Sequence, residues 1–507
     1  MIRLTKGIFC VVMLMGFISD AGAFSLLGPL KTTGANGTAW QAPGFGGQPR
    51  GLGYSLPGDI GGPMSPSEAY RWNVPVITYA YDLTFLRYFG TNGVVAIDEA
   101  MAILNALPPA SQMSADLSEY ALDTKSENGT ASTLGLLDIK SFVLSTVLEQ
   151  LGLANPERFV WGLRGRDARP PFFTNYTVVQ LNYDPVTLVR TRYVNGVLYN
   201  YQIFDDLGPQ GGEWASAVEW YQLDPLYQPY SSVAGGGGGS DYQLGSSPSD
   251  SFVGIGLFGA GLSTGQFYTG LTRDDVGGLR YLLSTNHMVF DTLPATVLPS
   301  SGRSGGSPWA PVIGFGGTNA AGVSNAVTAA GTNVNPNFVR TAYRPGVDKI
   351  TFQRVSVFGT NFTPITLRYT DRYISTNGRV VKQSVERLVV QPDIVFQVRD
   401  IGTIFDTPIS AARTGTGNWV NNSALNTYYP VDGLGGPGTI FPPVVITFSD
   451  QLPYLFNLLS GESDLDAFTG FVWGSFDGTT RPPVVYPQNS ALSLDYLQDV
   501  VLRQTGN

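Results

Sequence analysis

The sequence predicts a multi-domain protein with an α+β N-terminal half and an all-β, sandwich-like C-terminal half. Three observations predict it. Strand and helix periodicities alternate up to about residue 292, a Gly/Ser/Ala/Asn-rich stretch follows, and short β-like runs then succeed one another with no helical pattern until the end. The 507 residues suit two or three domains, and a hydrophobic share of 43% supplies their cores. Charged residues are only 14%, against roughly 25% in average globular chains. With 62 Gly and 34 Pro punctuating the chain, this composition suits an exported, β-rich protein.

Residues 1–23 read as an export leader. Arg3 and Lys6 precede the apolar run "GIFCVVMLMGFI", and Ala21-Gly22-Ala23 supplies a small-residue cleavage site, which puts cleavage after Ala23. No later run of about 18 apolar residues occurs, so no membrane span is expected after leader cleavage. The one cysteine, Cys10, lies inside the leader. The processed chain is therefore expected to be cysteine-free, with no disulfide and no thiolate chemistry. A net charge of −9, from 30 basic and 39 acidic residues, disfavours nucleic acid and anionic membrane as partners.

Residues 24–70 are rich in Gly and Pro and predict an irregular segment leading into an α+β domain over 71–292. "VPVITYAYDLTFLRYFG" reads as a strand with period-two alternation. "TNGVVAIDEAMAILNALPP" reads as a helix stopped by Pro108, with Ile97, Ala100, Met101, Leu104 and Leu107 on one face. A second helix is expected through "LLDIKSFVLSTVLEQLGL", buried along Leu144, Val147, Leu148 and Leu151. Residues 159–207 read as a three-stranded meander, turning at Asp184-Pro185 and at the hairpin pair Asn195-Gly196. A glycine loop at 233–250 precedes a short helix, "LTRDDVGGLRYLLS", with Thr272 as N-cap and Asp274 and Asp275 in its first turn. Residues 293–338 are the expected linker, and 339–507 the β-rich domain, with a turn at Thr376-Asn377-Gly378.

The stretch "STVLEQLGLANP" admits the zinc-helix pattern H-E-x-x-H-x-x-G-x-x-H, and in its order of elements residues 74–283 resemble the matrixin-like metzincin proteases. The resemblance implies zinc ligands at Ser145, Glu149 and Asn155 and a general base at Thr146. Ser145 and Asn155 are poor ligands, a single carboxylate cannot hold zinc, and Thr146 cannot activate water. The resemblance thus implies a pseudo-protease at most. Gly152 has a simpler role as the C′ residue of a left-handed helix stop, with Pro156 shortly after it.

Other chemistry has thin support. His287 is the only histidine. "GLSTG" around Ser263 matches a nucleophile elbow, but Ser263, Asp274 and His287 crowd into a span far shorter than that fold uses. "GESDLDAF" lacks the glycine and final glutamate of an EF-hand loop. "EWASAVEWYQLDPLYQPY" groups Glu213, Trp214, Glu219, Trp220 and Tyr221, the mixture of carboxylates and aromatic platforms that suits a glycan or partner surface.

The expectation is an exported, non-catalytic structural or adhesive protein of the cell surface, extracellular matrix or periplasm, with an extracellular protein or glycan as partner and no cofactor. The alternatives are an extracellular glycan-acting enzyme using paired carboxylates, and a peptide-binding pseudo-metalloprotease. Replacing Gly152 with alanine is expected to cost about 1 kcal/mol through the left-handed backbone, read as a lower urea midpoint.

Overall fold

The computed structural model describes residues 23–27, 44–45, 48–49, 63–64, 69–154, 156, 161–169, 173–180, 182–207, 213–222, 264–300, 338–355, 362–398, 418–421, 438–448 and 472–487, with three further positions near 495. They form a mixed α+β structure of few helices and several small sheets. Residues 1–22 of the expected leader, Cys10 among them, the glycine loop and residues 461–468 lie outside the described residues.

At its centre is a four-stranded parallel sheet in the order Thr351–Arg354, Val76–Tyr81, Ile394–Val398, Val444–Phe448. Five consecutive residues, Ile77 to Tyr81, are buried. That is the mark of a strand covered on both faces, and it explains why its sequence is apolar or aromatic nearly throughout.

The strand expected to continue to Gly90 ends at Tyr81. Asp82 accepts the backbone N–H groups of Thr84 and Phe85 at 2.7 and 3.0 Å and so starts helix α1, Leu83–Ala106. Gly90, at φ 58°, kinks α1 at the point where the sequence separates a strand-like from a helix-like pattern. Two local rules competed over Leu83 to Phe89, and the capping aspartate prevailed.

A single turn, α2 (Gly129–Thr133), precedes the strand Leu136–Asp138 and helix α3 (Ile139–Gln150). Helix α1 lies on the parallel sheet, and α3 lies on α1. Between them sits an aromatic core in which Phe89 stands 4.8 Å from Phe85, 5.0 Å from Phe448 and 5.0 Å from Tyr486, ring centre to ring centre, and Phe142 stands 5.1 Å from Trp473. Each such ring removes on the order of 150–250 Å² from water. Gly152 has φ 107°, in the left-handed region. The Asn195-Gly196 pair has φ 44° and 84° and closes a hairpin with Val194 opposite Val197. After Asp184-Pro185 the chain makes an irregular loop, with a lone bridge from Tyr183 to Arg190, in place of the expected direct strand return.

Part of the expected irregular N-terminal segment is a core strand. Phe24–Leu27 pairs with Asn182–Tyr183, Leu153–Ala154 and Pro63–Met64. Helix α4, Arg273–Leu283, packs against it. Gly278 permits this, because a Cβ there would meet Leu153 at 2.7 Å and Phe24 at 3.2 Å. Thr272 caps α4 as expected, in a capping box with Asp275. Asp274 and Asp275, however, are buried.

The 293–338 boundary does not divide two independent cores. Val76–Tyr81 precedes it, while the three other strands of the central sheet follow it. Nor do the described strands after Val339 form two antiparallel layers of their own. Three of them belong to the parallel central sheet, and the hairpin Ile365–Ile374/Val380–Val389, turning at Gly378, pairs instead with Val297–Pro299.

Buried ion pairs bind these distant segments. Asp291, on a strand paired with Thr341–Arg344, lies 3.2 Å from Arg71 and 3.4 Å from Arg344, and Arg344 reaches Asp371 at 3.0 Å. All four side chains are at most 5% exposed. Arg71 also donates to the carbonyls of His287 and Arg344, both at 2.8 Å. A second pair, Arg387 and Asp393, joins the hairpin to the central sheet, where Asp393 accepts from Thr78 N at 2.7 Å. Replacing Arg344 with methionine leaves two buried carboxylates short of a partner. The expected loss is about 3 kcal/mol, measured by urea unfolding.

Candidate functional site

The helix expected through "LLDIKSFVLSTVLEQLGL" begins later than its sequence suggests: Leu136–Asp138 is a strand, and Asp138 ends it immediately before α3. An Asp with Ser three residues on is a helix-start pattern. The Asp138 carboxylate accepts the Ser141 backbone N–H at 2.9 Å and its hydroxyl at 2.6 Å, so it caps α3. The strand carrying Asp138 pairs in parallel with Val472–Ser475, which pairs in turn with Val484–Val485.

A cavity of about 210 Å³ opens where α1, the start of α3 and this C-terminal hairpin meet. Asn92, Glu99, Asp138, Lys140, Ser475, Asp477 and Arg481 supply its polar lining. Lys140 stands 4.0 Å from Glu99, which is 61% exposed, and 6.0 Å from the centre of the Phe267 ring. Ser475 shares a 2.8 Å hydrogen bond with the Tyr486 hydroxyl, whose pKa burial pushes up to about 12.

Two carboxyls on this cavity are driven in opposite directions. Burial raises the pKa of Asp138, against the bonds from Ser141, and its Oδ1 is buried without a hydrogen-bond partner. The side-chain and backbone donors of Thr479 lower the pKa of Asp477. Two carboxyls whose pKa values are pushed apart on one cavity are the kind of pairing that acid–base chemistry uses. The same lining, which carries both the cations Lys140 and Arg481 and the carboxyls Glu99, Asp138 and Asp477, can hold a small polar ligand without reaction.

A second polar cluster sits beside α1. Tyr79 and Tyr81 both donate to Asp98, at 2.8 and 2.7 Å, and Arg354 meets Asp98 at 2.8 Å. Burial first, then the Asp98 bond, raises both phenol pKa values above their ordinary range. This cluster braces α1 against the sheet and half-exposes only Arg354, at 49%.

The residues singled out from sequence lie elsewhere. Glu213, Trp214, Glu219, Trp220 and Tyr221 fall on one strand, Glu213–Gln222, paired with Val197–Leu207 so that Trp220 is opposite Tyr201 and Trp214 opposite Asp206. Their side chains lie outside the described set. Ser145 and Thr146 are buried on α3, where the Thr146 hydroxyl donates to the Phe142 carbonyl at 2.9 Å. Glu149 belongs to the same helix without a described side chain, while Asn155 and Ser263 lie outside the description. Asp274 and His287 do not meet. Asp274 accepts from Asn195, whereas His287 lies tilted against Tyr281 with ring centres 4.3 Å apart, and burial, then Arg71, lowers its pKa to about 4.

Among the described residues, no group of three or more His, Cys, Asp or Glu side chains is placed to hold a metal ion, and no helix is long and apolar enough to cross a membrane. Compared with protein-family models, curated proteins and solved structures, the chain matches none.

Sequence reasoning missed Asp138 and Asp477. The helix-start pattern could have flagged the first, but its partners come from a hairpin more than 300 residues away. Because the folded pKa of Asp138 is raised, ionisation there opposes folding at neutral pH, and that cost fades as pH falls through the folded value. Asp138→Asn keeps a capping acceptor. Its urea stability relative to the parent is therefore expected to be higher at pH 7 than at pH 3.

Proposed function

We propose that this chain is an exported, non-catalytic binding protein that presents polar-aromatic surface to an extracellular glycan or protein. The observation that carries the reading is the long ladder between Val197–Leu207 and Glu213–Gln222. It aligns Tyr201 with Trp220 and Asn200 with Tyr221, next to Glu219 and Trp214. Tyr, Trp and Asn give large contact area at low conformational cost, and adaptable hydrogen bonding with it. The low charge content and the leader-like N-terminus support the same reading.

A second reading has its own support. The opposed shifts of Asp138 and Asp477 on one cavity suit an enzyme that works by paired carboxylates on an extracellular polymer.

One set of measurements separates the two. Purified mature protein is tested for binding and for hydrolysis against arrays of glycans and peptides. Under the binding reading, Trp214→Ala with Trp220→Ala weakens capture at least tenfold, melting is unchanged, and no substrate turns over. Turnover that disappears in both Asp138→Asn and Asp477→Asn would establish the second reading instead.

A further inference from the structure

Asp274 is fully buried, yet its electrostatic neighbours, Asp275 and Asp184, are both acidic. Its hydrogen bonds are all to uncharged N–H donors. The Asn195 backbone donates at 3.0 Å, the Asn195 amide nitrogen also faces the carboxylate at 3.0 Å, and the third donor is the backbone N–H of Ala23. Among the described residues no cation pairs with it. By contrast, the buried acids Asp291 and Asp393 each meet an arginine supplied from within the fold. A buried carboxylate without one costs several kcal/mol unless it keeps its proton.

Ala23 is also the residue after which the leader is expected to be cut. It is 0% exposed, and Phe24 is 2% exposed. Phe24 is held between Tyr183 and Tyr281, with ring centres 6.1 and 5.8 Å away, and opens the strand Phe24–Leu27. Hydrolysis of the Ala23–Phe24 peptide bond adds water across it. The carboxylate departs on Ala23 with the leader, and an ammonium group remains on Phe24. That nitrogen lies one residue, roughly 3.5 Å along the chain, from the donor that cleavage removes.

We propose that the α-ammonium group of Phe24 is the missing counter-ion of Asp274, so that removal of the leader completes a buried ion pair and pins the first strand into the core. The inference rests on the leader reading given under the proposed function. Processing is then a step in assembling the fold as well as a step in export. A chain that keeps residues ahead of Phe24 offers Asp274 only an amide.

The test begins with N-terminal sequencing of the exported protein. A chain that does not begin at Phe24 overturns the leader reading, and the proposal with it. If the chain begins at Phe24, an amine-acylating reagent is applied at neutral pH and the Phe24 peptide is quantified by mass. The α-amine is expected to react at least tenfold more slowly in the folded protein than in urea, and Asp274→Asn is expected to abolish that protection. Equal rates in the folded and unfolded parent overturn the ion pair while leaving the leader reading intact. Should Asp274→Asn fail to fold, a cytosolic form in which Met, Gly22 and Ala23 precede Phe24 provides the second comparison. It is expected to melt about 3 °C or more below the processed chain. Equal melting overturns the proposal.

Discussion

The arrangement of Arg71, Asp291, Arg344 and Asp371 is the constraint on which the rest of the molecule depends. Each charge is out of water, so each would be strongly destabilising without its partners. The four residues come from four separated segments: the approach to the central sheet, the strand after α4, the strand opposite it, and the long hairpin. None of these can be displaced without stranding a charge. Hydrophobic contact tolerates sliding, whereas a hydrogen-bonded ion cluster accepts one register. The Arg387–Asp393 pair acts likewise on the central sheet, where Asp393 binds both the backbone and the hydroxyl of Thr78. In a chain of low charge content, a large part of the specificity rests on a handful of interior ions.

The Asp138 cavity follows from the same economy of charge. Asp138 is needed as a cap for α3, and the C-terminal hairpin closes over it through a parallel pairing with its own strand. Closure desolvates the carboxyl and leaves one oxygen without a donor. Asp477, at the hairpin's far end, is exposed enough for Thr479 to keep it ionised. Two acids of contrasting character thus arise from one structural act, the docking of a short hairpin on a helix start.

What the sequence made legible is what short-range rules govern. Gly152 as a helix stop, Asn195-Gly196 as a hairpin, Thr272 as a cap and Gly378 as a turn each depend on a few neighbouring residues, and each is found. The Leu83 to Phe89 stretch misled because its alternation resembles a strand, while Asp82 starts a helix there. The parallel sheet was illegible for another reason. Val76 pairs with Thr351, and Tyr79 with Ile394, across hundreds of residues, and nothing local marks those partners. The candidate site belongs to this second kind, with Asn128 and Asp477 joined although 349 positions apart.

That central sheet also bears on when the protein can acquire its shape. One of its two inner strands, Val76–Tyr81, is made early in the chain, but both neighbours of that strand come from beyond residue 350 and the last strand ends at Phe448. Closing such long loops has to precede the reward of pairing, which slows assembly. A nascent polypeptide built this way cannot complete its central sheet until nearly all of it has been synthesised.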